Sequence, residues 1–225
     1  MENYMSNNIA ILTHVDDNFI DIEKIVKSNH LEYSNHNHHE YIRLSTKDII
    51  NHFPVNKEIY WLKIIAVLNT LKSRRDIDWI FMVDIDCVFN KKNIPLSTFT
   101  SSANKNHDIL LCCMESNMIQ NYWNINIGAM FFRNTIHVYN ILTSMIDYAK
   151  SLNFTIFEQQ LFQLYLRNNT LNILQKTGFF PEHAFNHGSN NTFLYHACGS
   201  STSSMDFNEA LKIKMESLKI VINDK

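Results

Sequence analysis

Glycine and proline are nearly absent from this chain, with 4 Gly and 3 Pro among 225 residues. So few glycines leave no Gly-rich loop of the kind that wraps a phosphate in backbone N–H groups. The same scarcity leaves no obvious interdomain linker. The four cysteines, Cys87, Cys112, Cys113 and Cys198, form no CxxC pair and no secreted-framework spacing. Free buried thiols in a reducing compartment are the expectation. Charge of one sign is lacking too: a formal net charge of −2 gives no reason to expect nucleic acid or an anionic membrane as partner. No window reaches the roughly eighteen apolar residues of a membrane span. The opening stretch MENYMSNNIAILTH has no basic region followed by a long apolar core. The expected location is cytoplasmic, which gives the sequons at Asn153, Asn168 and Asn190 little weight.

What the chain has in quantity is apolar residues, 45% of the total. That suffices for one domain over residues 1–225, its core at about 8–200 and a last helix at about 207–218. No internal repeat is present, and no feature sets an oligomeric state.

The most informative stretch is WIFMVDIDCVFN, Trp79 to Asn90. Trp79 to Val83 has the length and the aromatic and β-branched content of a buried strand. It ends on Asp84 and Asp86, which strand alternation places on one face with Met82. Two adjacent carboxylates repel and are costly to desolvate unless a cation, a proton or strong donors lie between them. A divalent metal resolves the conflict, and an Asp-rich turn closing a strand is the plain alternative.

Around this stretch the pattern is that of β and α elements in alternation. Asn8 to Thr13 reads as a first strand, followed by His14, Asp16, Asp17 and Asn18 in a loop and a helix carrying Phe19, Ile22, Ile25 and Val26. Ser28 to Glu40 is polar, Asn-rich and holds His30, His36, His38 and His39, and reads as a solvated loop. His39-Glu40-Tyr41-Ile42-Arg43 lacks the second histidine of HExxH, which excludes zinc proteolysis there. Glu40 to Ser45 is a second strand. Lys57 to Lys72 carries Trp61, Ile64, Ile65, Leu68 and Leu71 at helical spacing, with Lys63 on another face. A parallel crossover into Trp79–Val83 is the default geometry. Asp108 to Met114 and Ile125 to Arg133 are further strands. Gly128 inside the latter implies a bulge or a close approach of ligand to backbone. Val138 to Ala149 and the stretch from Glu158 read as helices, and Asn172 to Leu174 as a short strand. The crevice beyond the strand ends is where α/β sheets bind ligands.

Five separated blocks, KEIYWLKIIAVLNTL, IDWIFMVDIDCVFN, YWNINIGAMFFRN, FEQQLFQLYL and FLYHACG, occur in the order and approximate spacing found in GT-A fold glycosyltransferases. The chain most resembles the galactosyl- and xylosyltransferase family that includes plant xyloglucan xylosyltransferases and yeast mannan galactosyltransferases. There the blocks read W-x-K before a leucine-rich helix, DxD, N-x-G followed by Arg-Asn, Asp/Glu-Gln, and H-x-x-G. The resemblance spans roughly Ile9 to Gly199. It implies an α/β chain with a GT-A (Rossmann-like) nucleotide-diphospho-sugar transferase fold, a mixed central sheet flanked by helices.

Carried over residue by residue, the resemblance makes Asp84 and Asp86 the DxD around Ile85 and both of them metal residues, with Asp86 the more direct ligand and Asp84 nearer the ribose and metal. His196 becomes the third protein ligand of Mn2+ or Mg2+, with Gly199 completing its block. Asn126 and Gly128 line the sugar and acceptor side, and Glu158 and Gln159 face the reacting sugar. Thr13 and His14 border the nucleoside, and Lys63 is the W-x-K lysine. The implied partners are a nucleotide-sugar donor, UDP-linked by resemblance, and a glycan acceptor. The implied chemistry is metal-dependent transfer with retention. An inverting transferase on the same fold, a non-catalytic nucleotide-sugar or glycan binder, and another metal-dependent enzyme using the acid pair are the competing readings. Two departures stand out: the relatives usually carry a membrane anchor and this sequence shows none, and Glu158 stands where they have Asp.

Overall fold

The computed structural model describes residues 8–49, 59–113, 124–185, 192–197 and 206–223. Six strands form one sheet in the order β2 (Glu40–Ser45), β1 (Ile9–Val15), β3 (Trp79–Val83), β6 (Ile125–Arg133), β5 (Ile109–Cys113), β7 (Thr177–Phe180). β1 runs parallel to both β2 and β3, β5 runs parallel to β7, and β6 lies antiparallel between β3 and β5. β4 (Cys87–Phe89) and β8 (Leu194–His196) form a separate antiparallel pair. The fold is thus a mixed, mostly parallel α/β sheet flanked by helices.

Both faces of the sheet are covered, which is why its strands read as continuous apolar runs. Ala10, Leu12, Ile80, Met82, Met130 and Phe132 pack under α3 (Ile59–Ser73), α5 (Ile136–Ser151) and α6 (Glu158–Arg167). Ile9, Ile11, Phe81, Val83 and Phe131 face the other way, toward α1 (Ile20–His36), α4 (Ser97–Ser102) and α7 (Glu182–Phe185). On that side Phe81, Phe89, Phe99, Phe131, Phe185 and Phe193 pack ring against ring, and Tyr33 stacks on Phe89 with centroids 3.9 Å apart. Fully burying one such ring contributes about 1.5–3 kcal/mol. The last helix, α8 (Phe207–Asn223), closes a third apolar cluster in which Leu218 and Val221 meet Val15, Ile22, Val26, Ile85 and Val88.

Four expectations need correction. The Asn- and His-rich tract after Ser28 is not a solvated loop: α1 continues through it to His36, and Asn29, His30, Tyr33 and Ser34 are buried. Its polar side chains satisfy backbone groups. Asn29 exchanges two hydrogen bonds with Phe89, His30 Nε2 lies 2.8 Å from the Cys87 carbonyl, and Tyr33 donates to the Ile94 carbonyl. Asn172–Leu174 is not a strand but part of a 3-10 turn, Thr170–Lys176, with Leu171 and Asn172 in left-handed conformation; the strand is β7, directly after it. β1 runs on to Val15 and so includes His14. α8 runs to Asn223 rather than stopping near 218, because Val221 still has a core to enter. Among the described residues, no helix is long and apolar enough to cross a membrane. Cys87, Cys112 and Cys113 are buried, as expected, and Cys198 lies outside the described residues.

Candidate active site

β3, an interior strand, carries the acid pair beyond its carboxyl end, but the two acids do not continue its alternation. After Val83 the Asp84 N–H bonds the Gly128 carbonyl at 2.7 Å, and the Cys87 N–H closes a turn on the Asp84 carbonyl at 3.2 Å. A turn separates the carboxylates, so each finds its own partners. Asp84 accepts the Lys63 ammonium on both oxygens at 2.9 Å. Asp86 meets His196 Nε2 at 3.2 Å on Oδ1 and the Lys214 ammonium on Oδ2.

His196 is brought there by the small sheet. In the β4–β8 ladder Cys87 stands opposite His196, and the Ala197 N–H bonds the Asp86 carbonyl at 3.0 Å. Gly128 makes room for the ring: a Cβ at that position would lie 2.1 Å from His196 Cε1. The close approach implied by a glycine inside β6 is therefore made by a side chain of the protein itself. β6 is also irregular here, since two steps along β5, from Leu110 to Cys112, match five along β6, from Phe131 to Asn126. Among the described residues, Asp86, Cys87 and His196 each offer one ligand atom within 4.8 Å of the others. Asp84 lies in the Lys63 ion pair.

α3 and α6 supply a second charged group. Lys63 is not on a solvated face. Its side chain is 12% exposed and bridges Asp84 to Glu158 Oε1, 3.2 Å away at the start of α6. Burial disfavours its ammonium, but the two carboxylates outweigh burial and hold its pKa above the usual lysine value. Burial pushes the Glu158 carboxyl above its ordinary range, with the Asp84 charge adding to that and Lys63 opposing it. For Asp86, burial alone would raise the carboxyl; the His196 imidazole and Lys214 ammonium reverse this and hold it well below the usual carboxylate range.

These groups border a cleft of about 180 Å³ lined by His14, Asp16, Phe19, Tyr60, Lys63, Asp84, Ile85, Asp86 and Lys214. Burial lowers the His14 pKa to about 4 against the pull of Asp16 and Asp84, so its ring is neutral at neutral pH. Its Nε2 lies 3.1 Å from the Thr46 hydroxyl, which donates to Asp16 at 3.2 Å. His14 therefore donates to Thr46 from Nε2. Thr13 is buried beside Tyr41, one residue back from the cleft. Asn126 and Gln159 brace β6: Asn126 Oδ1 accepts the Gly128 N–H at 2.7 Å and Gln159 Oε1 accepts the Ile127 N–H at 3.4 Å. Gly199 lies outside the described residues.

The structure thus brings Asp86 to His196, and Asp84 to Lys63 and Glu158. Lys214, Asp16, Phe19 and Tyr60 complete the cleft without having been singled out in the sequence. Lys214 had a detectable signal: of the two lysines between Leu211 and Leu218, Lys212 and Lys214, it is the one at helical spacing from both leucines, on the stripe of α8 that packs inward. Asp16 and Phe19 had none beyond their place after β1.

No protein-family model and no curated protein matches the chain. Solved structures do. A glycosyltransferase involved in glycosylation of the major capsid of PBCV-1 superposes with a TM-score of 0.68 at 14% identity, over 94% of this chain and 98% of the other. An active-site mutant of LgtC gives 0.53 at 13%, over 96% and 95%. The apo glycosyltransferase GlyE of Streptococcus pneumoniae TIGR4 gives 0.57 at 10%, over 97% of this chain and 63% of its own length. With a mostly parallel sheet, an acid pair leaving β3 and these neighbours, the chain has the fold of the GT-A glycosyltransferases.

Proposed function

We propose that this protein is a metal-dependent glycosyltransferase that moves a hexose or pentose from a UDP-sugar or similar nucleotide-diphosphate donor to a glycan hydroxyl, with retention of anomeric configuration. The observation that carries this reading is the 3.2 Å contact between buried Asp86 and buried His196 at a cleft in a GT-A fold. Within that fold the five sequence blocks favour the galactosyl- and xylosyltransferase group. The Lys214–Asp86 pair and the packing of α8 on α1 support a single domain that includes the last helix.

The donor set fits a hard divalent ion. A buried carboxylate oxygen and a buried imidazole nitrogen converge beside the β4–β8 ladder, while the third nearby ligand atom, Cys87 Sγ, is turned as a thiol toward the Gly128 carbonyl at 4.0 Å; the oxygen and nitrogen donors suit Mn2+ or Mg2+. Asp86 and His196 would hold the ion, with Asp84 on the ribose side. Bound there, the ion would offset the negative charge that develops on the departing diphosphate.

The protein's own groups do the remaining work. Lys63 ties Asp84 to Glu158 and so fixes both carboxylates relative to the cleft. Glu158 and Gln159 form the sugar side, and Gln159 and Asn126 set the shape of that wall through the β6 backbone. His14, Thr13 and Ile85 form the nucleoside side, where a neutral His14 held by Thr46 presents a fixed polar edge. Holding donor and acceptor in register supplies much of the rate enhancement in such a transfer.

One observation favours a second reading, a nucleotide-sugar-binding protein without transfer: Lys214 already neutralises Asp86. Incubation with Mn2+ and a panel of nucleotide sugars, following nucleotide release with and without EDTA, separates the two. Release from one donor that stops with EDTA is expected. Binding without release would favour the second reading, and neither binding nor release from any donor would overturn both.

A further inference from the structure

Asp86 has two partners of different kinds. His196 cannot leave: its backbone is in the β8 ladder and its ring fills the space that Gly128 leaves open. Lys214 can. It reaches Asp86 from a helix 128 residues further along the chain, on a side chain with four rotatable methylenes, and it also lines the cleft. Leu211 and Leu218, one turn either way on α8, pack into the apolar cluster with Val15 and Val88. A charge set in such a stripe is held by its counter-ion, and its side chain is only 21% exposed.

The carboxylate that would take a divalent ion on Oδ1, beside His196, thus already holds an ammonium on Oδ2. Two cations on one buried carboxylate repel far more strongly than the same pair in water. Resting on the metal-dependent reading above, we propose that Lys214 is an internal counter-cation that competes with the divalent ion for Asp86. Metal binding displaces the ammonium into the cleft and releases the tether of α8 to the site. Lys214 is a positioning residue in this scheme: it sets the metal affinity of Asp86 and links the last helix to occupancy of the site.

Calorimetric titration of the full chain with Mn2+ alone tests this, comparing wild type with Lys214→Met, which keeps the apolar stem and loses the charge. Circular dichroism establishes that both are folded, and Lys214→Gln takes the place of Lys214→Met if that variant is not. The variant is expected to bind Mn2+ about tenfold tighter, in the usual range of coupling between exclusive occupants. Lys214→Arg, which keeps the charge, is expected to bind no tighter than wild type. Amides of residues 207–223 in wild type are expected to exchange faster with Mn2+ present. Equal or weaker affinity in Lys214→Met overturns the competition while metal dependence stands. Tightening in Lys214→Arg as well overturns it in favour of a helix-packing effect. No Mn2+ binding by either wild type or Lys214→Met overturns both the competition and the metal-dependent reading.

Discussion

A Cβ at position 128 would lie 2.1 Å from Cε1 of His196 and 2.8 Å from its Nε2, the atom that faces Asp86. His196 is 5% exposed and its backbone is held in β8, so the ring must turn away from Asp86 if position 128 gains a side chain. Gly128→Ala should leave the sheet paired, since the Gly128 backbone is outside the left-handed region that favours glycine. It should weaken Mn2+ binding about 10- to 100-fold, the usual effect of misplacing a ligand's support. Calorimetry measures this directly, and unchanged affinity would remove His196 from the metal site.

Lys63 is the counter-charge for two carboxylates at once, Asp84 and Glu158, and its side chain is 12% exposed. Removing it leaves two acids facing each other with little water, a loss of about 3 kcal/mol or more for a broken buried pair. Lys63→Met should show this in urea unfolding. Adding Glu158→Gln removes one of the stranded charges, so the double variant should be more stable than Lys63→Met alone. A double variant that is less stable would mean that Lys63 acts through packing and not through charge.

The order of elements could be read from the sequence wherever a buried strand is apolar on both faces. Ile125–Arg133 is β6 to the residue, and Trp79–Val83 is β3. The tract after Ser28 could not be read, because the buried side of α1 is polar there. Asn29, His30 and Tyr33 are inside on account of backbone partners 57 to 61 residues away, which no local period reveals. The acid pair was legible, but its geometry was not. Strand alternation puts Asp84 and Asp86 together, whereas the turn after Val83 gives one to Lys63 and the other to His196 and Lys214. Those partners sit on α3, β8 and α8, so only the tertiary fold sorts them.

His30 supplies a pH dependence away from the cleft. Burial lowers its pKa from 6.5 to about 4, against the bond to the Cys87 carbonyl. The folded state then takes up a proton less readily than the unfolded chain, so stability is full above pH 6.5 and falls as pH drops toward 4. By pH 5 the loss from this residue is about 2 kcal/mol. Urea midpoints at pH 7.5 and 5 should differ less in His30→Gln than in wild type. Parallel pH slopes would show that His30 titrates alike in the folded and unfolded chain.

Asp86→Asn separates the site from the fold. The amide has the carboxylate's shape and still offers Oδ1 to a His196 N–H, while Lys214, 21% exposed and at the cleft, can turn to water. Losing the charge removes its desolvation cost but forfeits the pairing that holds its carboxyl well below the usual range, so the unfolding free energy should fall by about 3 kcal/mol while the chain still folds. Both cations lose their anchor, because a neutral amide binds neither an ammonium nor a divalent ion as a carboxylate does. Metal-dependent turnover should fall by roughly 10²-fold or more, the scale for removing one preorganised electrostatic group. Mn2+ affinity should fall as well, the opposite of the change expected for Lys214→Met, although both variants break the same ion pair. A variant that kept full turnover and full Mn2+ affinity would place the ion elsewhere, and the Asp84–Lys63–Glu158 group would be the next set of residues to substitute.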